Sequence, residues 1–369
     1  MRNSLCLLIA ILVISPVWAA GPPMMPGWAD RLVEQLGDDD FDTREAAARA
    51  LDKAGGDAVP ALRRGMQSKD AEIRARSLKI AKAIEERTVA YFEKLGLTID
   101  RRGRTGPVVD FVTNDDVRTH IRDEHVRELR GFPWLNQLIL EHSPITDVGL
   151  QEIGQFRQLS ALSLRRTKIT DEGLKCLADM TNLEEVSLDE TSLSGRGLAH
   201  LVALRKIKHL SLARTKLTDA GLKAGLVSLR QMTELRTLTL TGTLITDEGL
   251  VSVAELPQLT TLALSATSIT HKGVAHLKKL PNLQGICFAR TALTDEACDH
   301  LAQMKTLTGF RLDNTRVTMR GLRKLKDLPN LVSLALRDVP LTQAEARELR
   351  NLMPKRVGIA NDQVYRLRD

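Results

Sequence analysis

The chain has 369 residues, of which 43% are hydrophobic and 27% are charged, a composition that allows a buried core and excludes disorder along most of its length. Its formal net charge is +7, which is modest for this size. Aromatic residues account for only 3% of the chain, so leucine must supply the apolar volume that a single large globular core would take from aromatic side chains.

The N-terminal residues have the layout of a secretory signal peptide. Arg2 precedes an apolar run from Leu5 to Val17, and Val17 and Ala19 suit the −3 and −1 positions of a cleavage site. We predict a signal peptide over residues 1–19, a linker over residues 20–27, and export to the periplasm or the extracellular space. The alternative is an uncleaved membrane anchor, although the apolar run is short for a transmembrane helix.

Residues 28–96 have a helical pattern. The stretch "DDDFDTREAAARALDKAGG" starts with acidic residues that can cap a helix and ends in two glycines, and Pro60 suits the first turn of another helix. The phrases "TREAAARAL", "AVPAL" and "DAEIRARS" resemble HEAT repeats. The pattern therefore predicts a small all-α, HEAT-like domain.

From Leu135 onward one pattern repeats. Its units begin 24 residues apart, except for a step of 28 between Ile207 and Leu235, at Leu135, Leu159, Leu183, Ile207, Leu235, Leu259, Leu283, Leu307 and Leu331. The consensus LxxLxLxxTxITDxGLxxLxxLxx resembles the leucine-rich repeat, in the short subtype related to the cysteine-containing repeats, with Thr in place of Cys. With its signal peptide and helical segment, the chain also resembles exported bacterial repeat proteins.

The spacing predicts one strand and one short helix in each unit. Leu159, Leu162 and Leu164 belong to a strand, while Leu174 and Leu177 lie on one face of a helix. Neither element can bury its apolar face alone, so neighbouring units must stack. The predicted fold class is α/β: a leucine-rich repeat solenoid with a curved parallel sheet on its concave side and short helices on its convex side.

The repeat pattern also sets the predicted domain boundaries. We assign nine leucine-rich repeats to residues 135–354, a degenerate N-terminal capping repeat to residues 97–134 and a C-terminal cap to residues 355–369. The terminal units need caps because each would otherwise expose an apolar face. The four extra residues after Ile207 predict an added helical turn on the convex side.

The recurring phrase "TKITDEGLKCL" predicts structure rather than chemistry. Thr170 suits the N-cap of the helix, and Asp171 in its first turn favours the helix dipole. Gly173 and its counterparts allow adjacent backbones to approach closely, although His125 and Ala297 replace this glycine in two units.

Catalytic and metal-binding chemistry is not expected. Thr167 and its counterparts form a column after the strands, where a buried hydroxyl needs a partner in the loop backbone of the same or the next unit. No His or Lys accompanies this column as a base. A hydrolase is the enzymatic alternative, with Asp189 and Glu190 as the nearest acids on the predicted concave face. The sequence predicts no enzyme, no cofactor and no metal site, and its three cysteines after the signal argue against a disulfide framework.

A partner would bind at the outward positions of the strands and just after them. These positions are charged in the first repeats, small and neutral in the middle and mixed in the last ones. The candidate partner-binding residues on the concave face are Glu141, His142, Arg165, Arg166, Glu185, Asp189, Arg214, Thr239, Arg311, Asp313 and Arg337. The alternative is that tight concave curvature simply excludes large side chains, since Trp and Tyr, the usual anchors of tight interfaces, are absent there.

The leading interpretation is an exported, non-enzymatic protein-interaction or scaffold module, because leucine-rich repeats typically bind proteins. One alternative is an anionic envelope polymer bound by the basic C-terminal region, which includes the stretch 316–326, Lys355 and Arg356. Nucleic acid is not expected as a partner, since few aromatic residues could stack on bases. An intracellular adaptor, as in the ubiquitin-ligase proteins with similar repeats, is opposed by the export signal. Membrane contact is expected only if the signal segment is retained.

Overall fold

The computed structural model describes residues 27–96, 98–100, 110–112 and 121–360. The predicted signal peptide, most of the linker and residues 361–369 of the predicted C-terminal cap lie outside these described residues. The chain divides into two compact units, Met1–Lys82 and Ala83–Asp369. None of the helices in the described part is both long and apolar enough to cross a membrane.

The first unit is helical, as predicted. It contains helices α1 (Trp28–Gln35), α2 (Phe41–Ala54), α3 (Val59–Gly65) and the first part of α4 (Ala71–Lys94), with a short 3-10 helix at Gly55–Ala58. Helix α2 begins where the Asp40 carboxylate accepts a hydrogen bond from the backbone N–H of Thr43, and Gly55 follows its end with a φ of 59°. Pro60 lies in the first turn of α3, where its missing N–H leaves no helical bond unmade.

Close helix packing holds this unit together. Leu36, Leu51 and Leu62 are fully buried. A Cβ at Gly65 would lie 2.7 Å from Val33 Cγ1 and 2.3 Å from Ser77 Oγ, so glycine lets α3 approach its neighbours closely.

The second unit starts with the last turns of α4. Strands β1 (Thr98–Asp100) and β2 (Asp110–Val112) pair antiparallel, and helix α5 (Asp123–Val126) leads into a 3-10 helix at Arg127–Gly131. Phe92 of α4 stacks on Phe132 with ring centroids 5.9 Å apart, and both rings are buried. Ile121, Val126 and Leu129, which the sequence places in a degenerate capping repeat, are buried in the same core.

Ten parallel strands form the sheet of the second unit, in consecutive order from β3 to β12. Each strand has three residues, of which the middle one is buried and its two neighbours face outward. The strands are β3 (Gln137–Ile139), β4 (Ala161–Ser163), β5 (Glu185–Ser187), β6 (His209–Ser211), β7 (Thr237–Thr239), β8 (Thr261–Ala263), β9 (Gly285–Cys287), β10 (Gly309–Arg311), β11 (Ser333–Ala335) and β12 (Gly358–Ala360). The last strand comes from the segment assigned to the C-terminal cap.

A short helix returns the chain from each strand to the next. The α-helices are α6 (Asp147–Ile153), α7 (Asp219–Gln231), α8 (Asp247–Val253), α9 (His271–Leu277), α10 (Asp295–Leu301), α11 (Met319–Leu322) and α12 (Gln343–Leu352). Helix α7 has 13 residues against seven in α8, which confirms the predicted lengthening in the 28-residue unit. The return segments Gly173–Leu177 and Arg196–Leu201 are 3-10 helices instead, and a 3-10 turn at Arg323–Leu325 continues α11. Strand, helix and stacked core together confirm the predicted leucine-rich repeat solenoid.

The buried threonines bond within their own repeat. The Thr167 hydroxyl donates to the Leu164 carbonyl at 2.6 Å, and the same bond, three residues back, recurs at Thr191, Thr215, Thr243, Thr267, Thr291 and Thr315. Of the two predicted partners, the loop backbone of the same unit is therefore the one that the threonine hydroxyls bond. The column therefore closes each turn after a strand and does not tie one repeat to the next.

The acidic residue of the motif lies in the first turn of its own helix, as predicted, and it also links neighbouring repeats. Asp147 accepts hydrogen bonds from the backbone N–H of Thr170 at 2.9 Å and from its hydroxyl at 2.5 Å, one repeat further on. The equivalent pairs are Asp123 with Thr146, Asp171 with Ser194, Asp219 with Thr246, Asp247 with Thr270, and Asp295 with Thr318. Stacking at strand spacing brings each carboxylate beside the next helix start.

The Asp171 carboxylate lies in a partly buried, hydrogen-bonded environment. Burial raises the pKa of Asp171, but hydrogen bonds from Ser194, Gly197 and Gly195 outweigh burial, and the pKa lies below its usual value. Asp171 therefore stays ionised at neutral pH and holds the next helix start through charge-assisted bonds.

The glycine of the motif leaves space for the aspartate carboxylate of the preceding repeat. A Cβ at Gly173 would lie 2.2 Å from Asp147 Oδ1, and one at Gly273 would lie 2.4 Å from Asp247 Oδ1. In two units the glycine is absent where the preceding unit lacks the aspartate: Ala297 comes one repeat after His271, and Glu345 one repeat after Met319. Gly221 is kept although Gly195 replaces the aspartate one repeat earlier, because a Cβ there would lie 2.0 Å from the Ser194 carbonyl oxygen. The predicted close approach therefore occurs between the backbone at the motif glycine and the aspartate side chain of the preceding repeat.

We expect the three cysteines of the repeats to react with a thiol reagent in a fixed order. Cys176, Cys287 and Cys298 are free thiols. Cys298 is fully buried, and desolvation raises its pKa to about 12, whereas half-buried Cys287 lies on the outward side of β9. Because the thiolate is the reactive form, Cys287 should be labelled first and Cys298 only on unfolding. Mass spectrometry with and without urea measures this, and labelling of native Cys298 would contradict the burial.

Candidate interaction surface

A column of left-handed residues follows the strands. In each repeat, a buried leucine or phenylalanine ends the strand segment, and the second residue after it has a positive φ of 52–68°. We call this set the loop column: His142, Arg166, Glu190, Arg214, Gly242, Ala266, Arg290, Asn314 and Asp338. The backbone N–H of each of the first eight donates to a carbonyl of the following repeat, as His142 does to Arg165 at 2.9 Å.

This backbone conformation disfavours most residues of the loop column. A residue with a Cβ costs roughly 1–2 kcal/mol more than glycine in the left-handed region, with Asn and Asp affected less. Glycine occurs at one position, Gly242, whereas Arg166, Arg214 and Arg290 hold long, charged side chains there. The column therefore presents charged side chains at positions where the backbone alone would favour glycine.

Glu190 gathers three arginines at the first part of the column. Its carboxylate accepts a hydrogen bond from Arg166 Nε at 2.6 Å and another from Arg165 Nη2 at 2.9 Å. The guanidinium of Arg214 lies 3.7 Å from the same carboxylate. Arg165 also lies 3.7 Å from Glu141 Oε2, and Arg166 Nη1 lies 3.3 Å from the His142 ring. Five predicted site residues thus meet around one carboxylate.

The electrostatics keep this cluster charged. Burial raises the pKa of Glu190, but hydrogen bonds from Arg166 and Arg165 outweigh burial, and the pKa lies below its usual value. Glu190 is 19% exposed, whereas Arg166 is 42% and Arg214 is 61% exposed. The carboxylate therefore serves as an anchor beneath two arginines that remain accessible to a partner.

Two predicted site residues, Asp189 and Asp313, are used inside the fold. Asp189 accepts from the Ser211 hydroxyl at 2.5 Å and from the backbone N–H of Ala213 at 2.7 Å. Asp313, which is buried, accepts from Arg311 and from the backbone N–H of Arg337. Both acids bond the repeat that follows and so join the links between repeats.

The remaining predicted residues are spread along the solenoid. Glu185, Thr239 and Arg311 lie at outward positions of β5, β7 and β10, and Arg337 is exposed after β11. Arg311 is 56% exposed and pairs with Asp313 at 2.8 Å. The structure therefore separates a first cluster around Glu190 from a later pair at Arg311, with small outward residues between them, including Thr239, Ala263 and Cys287.

Glu190 is the residue that the sequence-based set omits. The register could have indicated it, since Arg166, Glu190 and Arg214 occupy the same position in three successive 24-residue units. Adjacent units place these side chains about 4.8 Å apart at the backbone. Opposite charges in one column of a repeat protein therefore predict an ion-pair network.

The basic C-terminal region is partly neutralised by neighbouring acids. Arg323 makes a two-point contact with Glu348, with Nε 2.6 Å from Oε1, and Lys324 Nζ lies 2.7 Å from Asp299. Arg356 donates to the carbonyls of Pro329 and Leu331. These contacts use three of the basic groups that an anionic polymer would need.

Among the residues that the structure describes, no group of His, Cys, Asp and Glu side chains is arranged to hold a metal ion. Hydrogen bonds hold the Asp189 and Glu190 carboxylates, which are the two acids that a hydrolase would use. A general acid near neutral pH needs a raised pKa, whereas that of Glu190 is lowered.

Comparisons with known proteins agree with this architecture. A HEAT repeat family model matches residues 25–96, and a leucine-rich repeat family model matches residues 158–178 and 203–224. Curated protein sequences give no match.

Among solved structures, the chain is similar to internalin C2 from Listeria monocytogenes, with 24% identity over 58% of this chain and 83% of that one and a TM-score of 0.41. A second internalin from the same strain has 18% identity over 76% of this chain and 94% of that one, with a TM-score of 0.39. The family matches and the sheet topology agree on a leucine-rich repeat fold, preceded in the chain by a HEAT-like helical segment.

Proposed function

We propose that the repeats form a non-enzymatic protein-binding module of an exported protein, which contacts its partner through the loop column and the adjoining outward face of the sheet. The observation that carries this proposal is the cluster in which Glu190 anchors Arg165, Arg166 and Arg214. Arginine is enriched at interface hot spots, and side chains already held in place lose less conformational freedom on binding.

The conformations of the loop column support the same surface. Arg166 and Arg214 have left-handed backbones where glycine would be less strained. Strain of this kind occurs mainly where a side chain has a function. Tight curvature could explain small residues on the sheet face, but it gives no reason for long charged residues in the loop column.

The alternatives receive less support. A hydrolase would need two carboxylates free to exchange protons, and the Asp189 and Glu190 carboxylates are both held by hydrogen bonds. An anionic envelope polymer bound at the C-terminal region would have to compete with Glu348 and Asp299 for Arg323 and Lys324. Neither alternative has a specific contact in its favour.

Charge reversal of two accessible arginines tests the proposal. A partner would first be captured from a cell-envelope fraction, and its binding would then be compared for the unsubstituted chain and for R166E/R214E. We expect binding to weaken by at least tenfold, since two accessible charges of the interface change sign. Asp189 is left unchanged, because its substitution would remove links between repeats.

The matched control is R157E/R230E, which reverses two exposed arginines that are also paired with acids, Asp179 and Glu255. This control should bind the partner as the unsubstituted chain does. Equal binding by R166E/R214E, with its folding verified by circular dichroism, would exclude the loop column as the interface.

A further inference from the structure

The loop column has a parallel companion two residues further along each turn. Its residues are Pro144, Lys168, Ser192, Lys216, Leu244, Ser268, Ala292, Arg316 and Pro340. We call the two columns together the loop edge. Exposed side chains of both columns stand next to each other here, outside the buried threonines that lie between them.

Along the loop edge, the middle repeats end at a cleft that is lined by two arginines. The cleft lies between the turns that contain Arg290, Ala292, Asn314 and Arg316. The threonine hydroxyls in its wall already donate to carbonyls of their own turns. The polar groups left to a ligand are therefore two guanidinium groups and the side-chain amide of Asn314.

Both arginines line the same cleft and lack an acidic partner in the described part of the chain. Among the described residues, no carboxylate lies within ion-pair distance of Arg290 or Arg316, and both are exposed. The adjacent Asp313 is occupied by Arg311 and by the N–H of Arg337, and Asp338 lies one turn further on. The cleft is therefore a cationic site that the fold itself leaves unneutralised.

A second basic pair lies at the other side of the middle repeats. Arg214 and Lys216 occupy the two columns of one turn, both exposed, and Lys216 has no acidic partner among the described residues. Between the two pairs lie two neutral turns, whose loop-edge residues are Gly242, Leu244, Ala266 and Ser268. Leu244 is 60% exposed and is the large apolar side chain of this neutral stretch.

The distance between the basic pairs fits an extended chain. Arg214 and Arg290 are separated by three repeat steps, or about 14 Å at the spacing of parallel strands. An extended segment spans about 13 Å over four residues, and its first, third and fifth side chains point to one side. With one acidic residue beside Arg214, another four residues later would then reach Arg290 at the near wall of the cleft, and the residue midway between them would lie over the two neutral turns, next to Leu244.

We propose that the loop edge of the middle repeats binds an extended acidic segment of the protein partner. One acidic side chain enters the cleft of Arg290, Asn314 and Arg316, another lies beside Arg214 and Lys216, and an apolar residue between them contacts Leu244. This rests on the proposed protein-binding function and specifies the chemistry of the partner. Guanidinium groups favour carboxylates because the two planar groups form paired hydrogen bonds.

Fluorescence polarisation with synthetic peptides tests the inference on the full chain. The probe has the core Glu-Thr-Val-Thr-Glu, and a comparison peptide of the same composition carries its two acids side by side. We expect the first peptide to bind at least about fivefold more tightly at moderate salt, because only it can reach both basic pairs. R290Q/R316Q should weaken its binding by about tenfold and remove the preference for spacing.

The control R205Q/R347Q removes the same charge from two exposed positions away from the loop edge, and should change the affinity less than twofold. An equal loss in the control, equal binding of both peptides, or no binding would each overturn the inference. A captured partner that binds R290Q/R316Q normally but fails to bind R166E/R214E would refute this inference and leave the proposed function standing.

Discussion

Alanine at Gly273 should lower the free energy of unfolding by about 2–4 kcal/mol, because the new methyl group would displace the carboxylate that links two repeats. A Cβ there would lie 2.4 Å from Asp247 Oδ1 and 3.1 Å from Asp247 Cα. That carboxylate accepts from the N–H and the hydroxyl of Thr270 at 2.7 and 2.5 Å. Urea unfolding followed by circular dichroism measures the effect.

A double-mutant cycle separates this link from glycine's other roles. D247A alone should cost about 2–3 kcal/mol through its two lost charge-assisted bonds. D247A/G273A should cost at least about 1 kcal/mol less than the sum of the single variants, since both remove one contact. G285A is the control, because its nearest neighbour, Thr261 Oγ1, lies 3.5 Å away. Additive effects of the two substitutions would contradict the link.

One unit that lacks the link offers the reverse experiment. His271 stands where most other units have aspartate, and the buried Ala297 occupies the place of glycine in the next unit. H271D alone should therefore bring no gain, whereas H271D/A297G should create the bonds to Thr294 and offset the flexibility of glycine. Equal stability changes in the single and double variants would show that the two positions are independent.

The sequence allowed the fold to be predicted because nine units report the same positions. Averaging over the units distinguishes the buried middle residue of each strand, such as Leu162, from its outward neighbours. The longer helix α7 followed from a simple count of residues. The change from α to 3-10 helix at Gly173–Leu177 did not, since the two forms differ by small backbone adjustments that this motif does not specify.

The link between repeats was missed because it joins residues 23 positions apart, such as Asp147 and Thr170. Within one motif, an aspartate at a helix start indicates only its own helix dipole. Two exceptions to the motif carried a signal of the contact: glycine is lost at Ala297 and at Glu345, one repeat after aspartate is lost at His271 and at Met319. The signal is incomplete, because Gly221 is kept after Gly195, where a Cβ would meet the Ser194 carbonyl oxygen instead.

The candidate surface was predicted only in part for a different reason. Period and pattern place Arg165, Arg166 and Arg214 on one side of the solenoid, but they cannot decide which acids are free. Asp189 turns to the next repeat, while Glu190 holds the arginines. Side-chain direction depends on the left-handed backbone at Glu190, whose φ is 56°, and Gly242 is the single glycine of the loop column that indicates this conformation in the sequence.

The N-terminal end of the solenoid depends on two stacked aromatic rings. Phe92 and Phe132 are buried, with ring centroids 5.9 Å apart and an interplanar angle of 28°. They cover Ile121, Val126 and Leu129 in the same core, so the last turns of α4 supply part of the cap that a terminal repeat needs. We therefore expect the residues before the first regular repeat to stabilise the end of the solenoid.

F92A should destabilise the second unit by about 3–5 kcal/mol, since it leaves a cavity next to Phe132 at the end of the core. Phe41 offers a matched control, because it is 60% exposed and F41A should cost less than about 1 kcal/mol. Because coupling in a solenoid runs between neighbours, hydrogen exchange should accelerate most in β3 and β4 and least in β10 and β11. A uniform change along the sheet would mean that the whole solenoid unfolds as one unit, and an unchanged stability would mean that the stacked rings do not cap it.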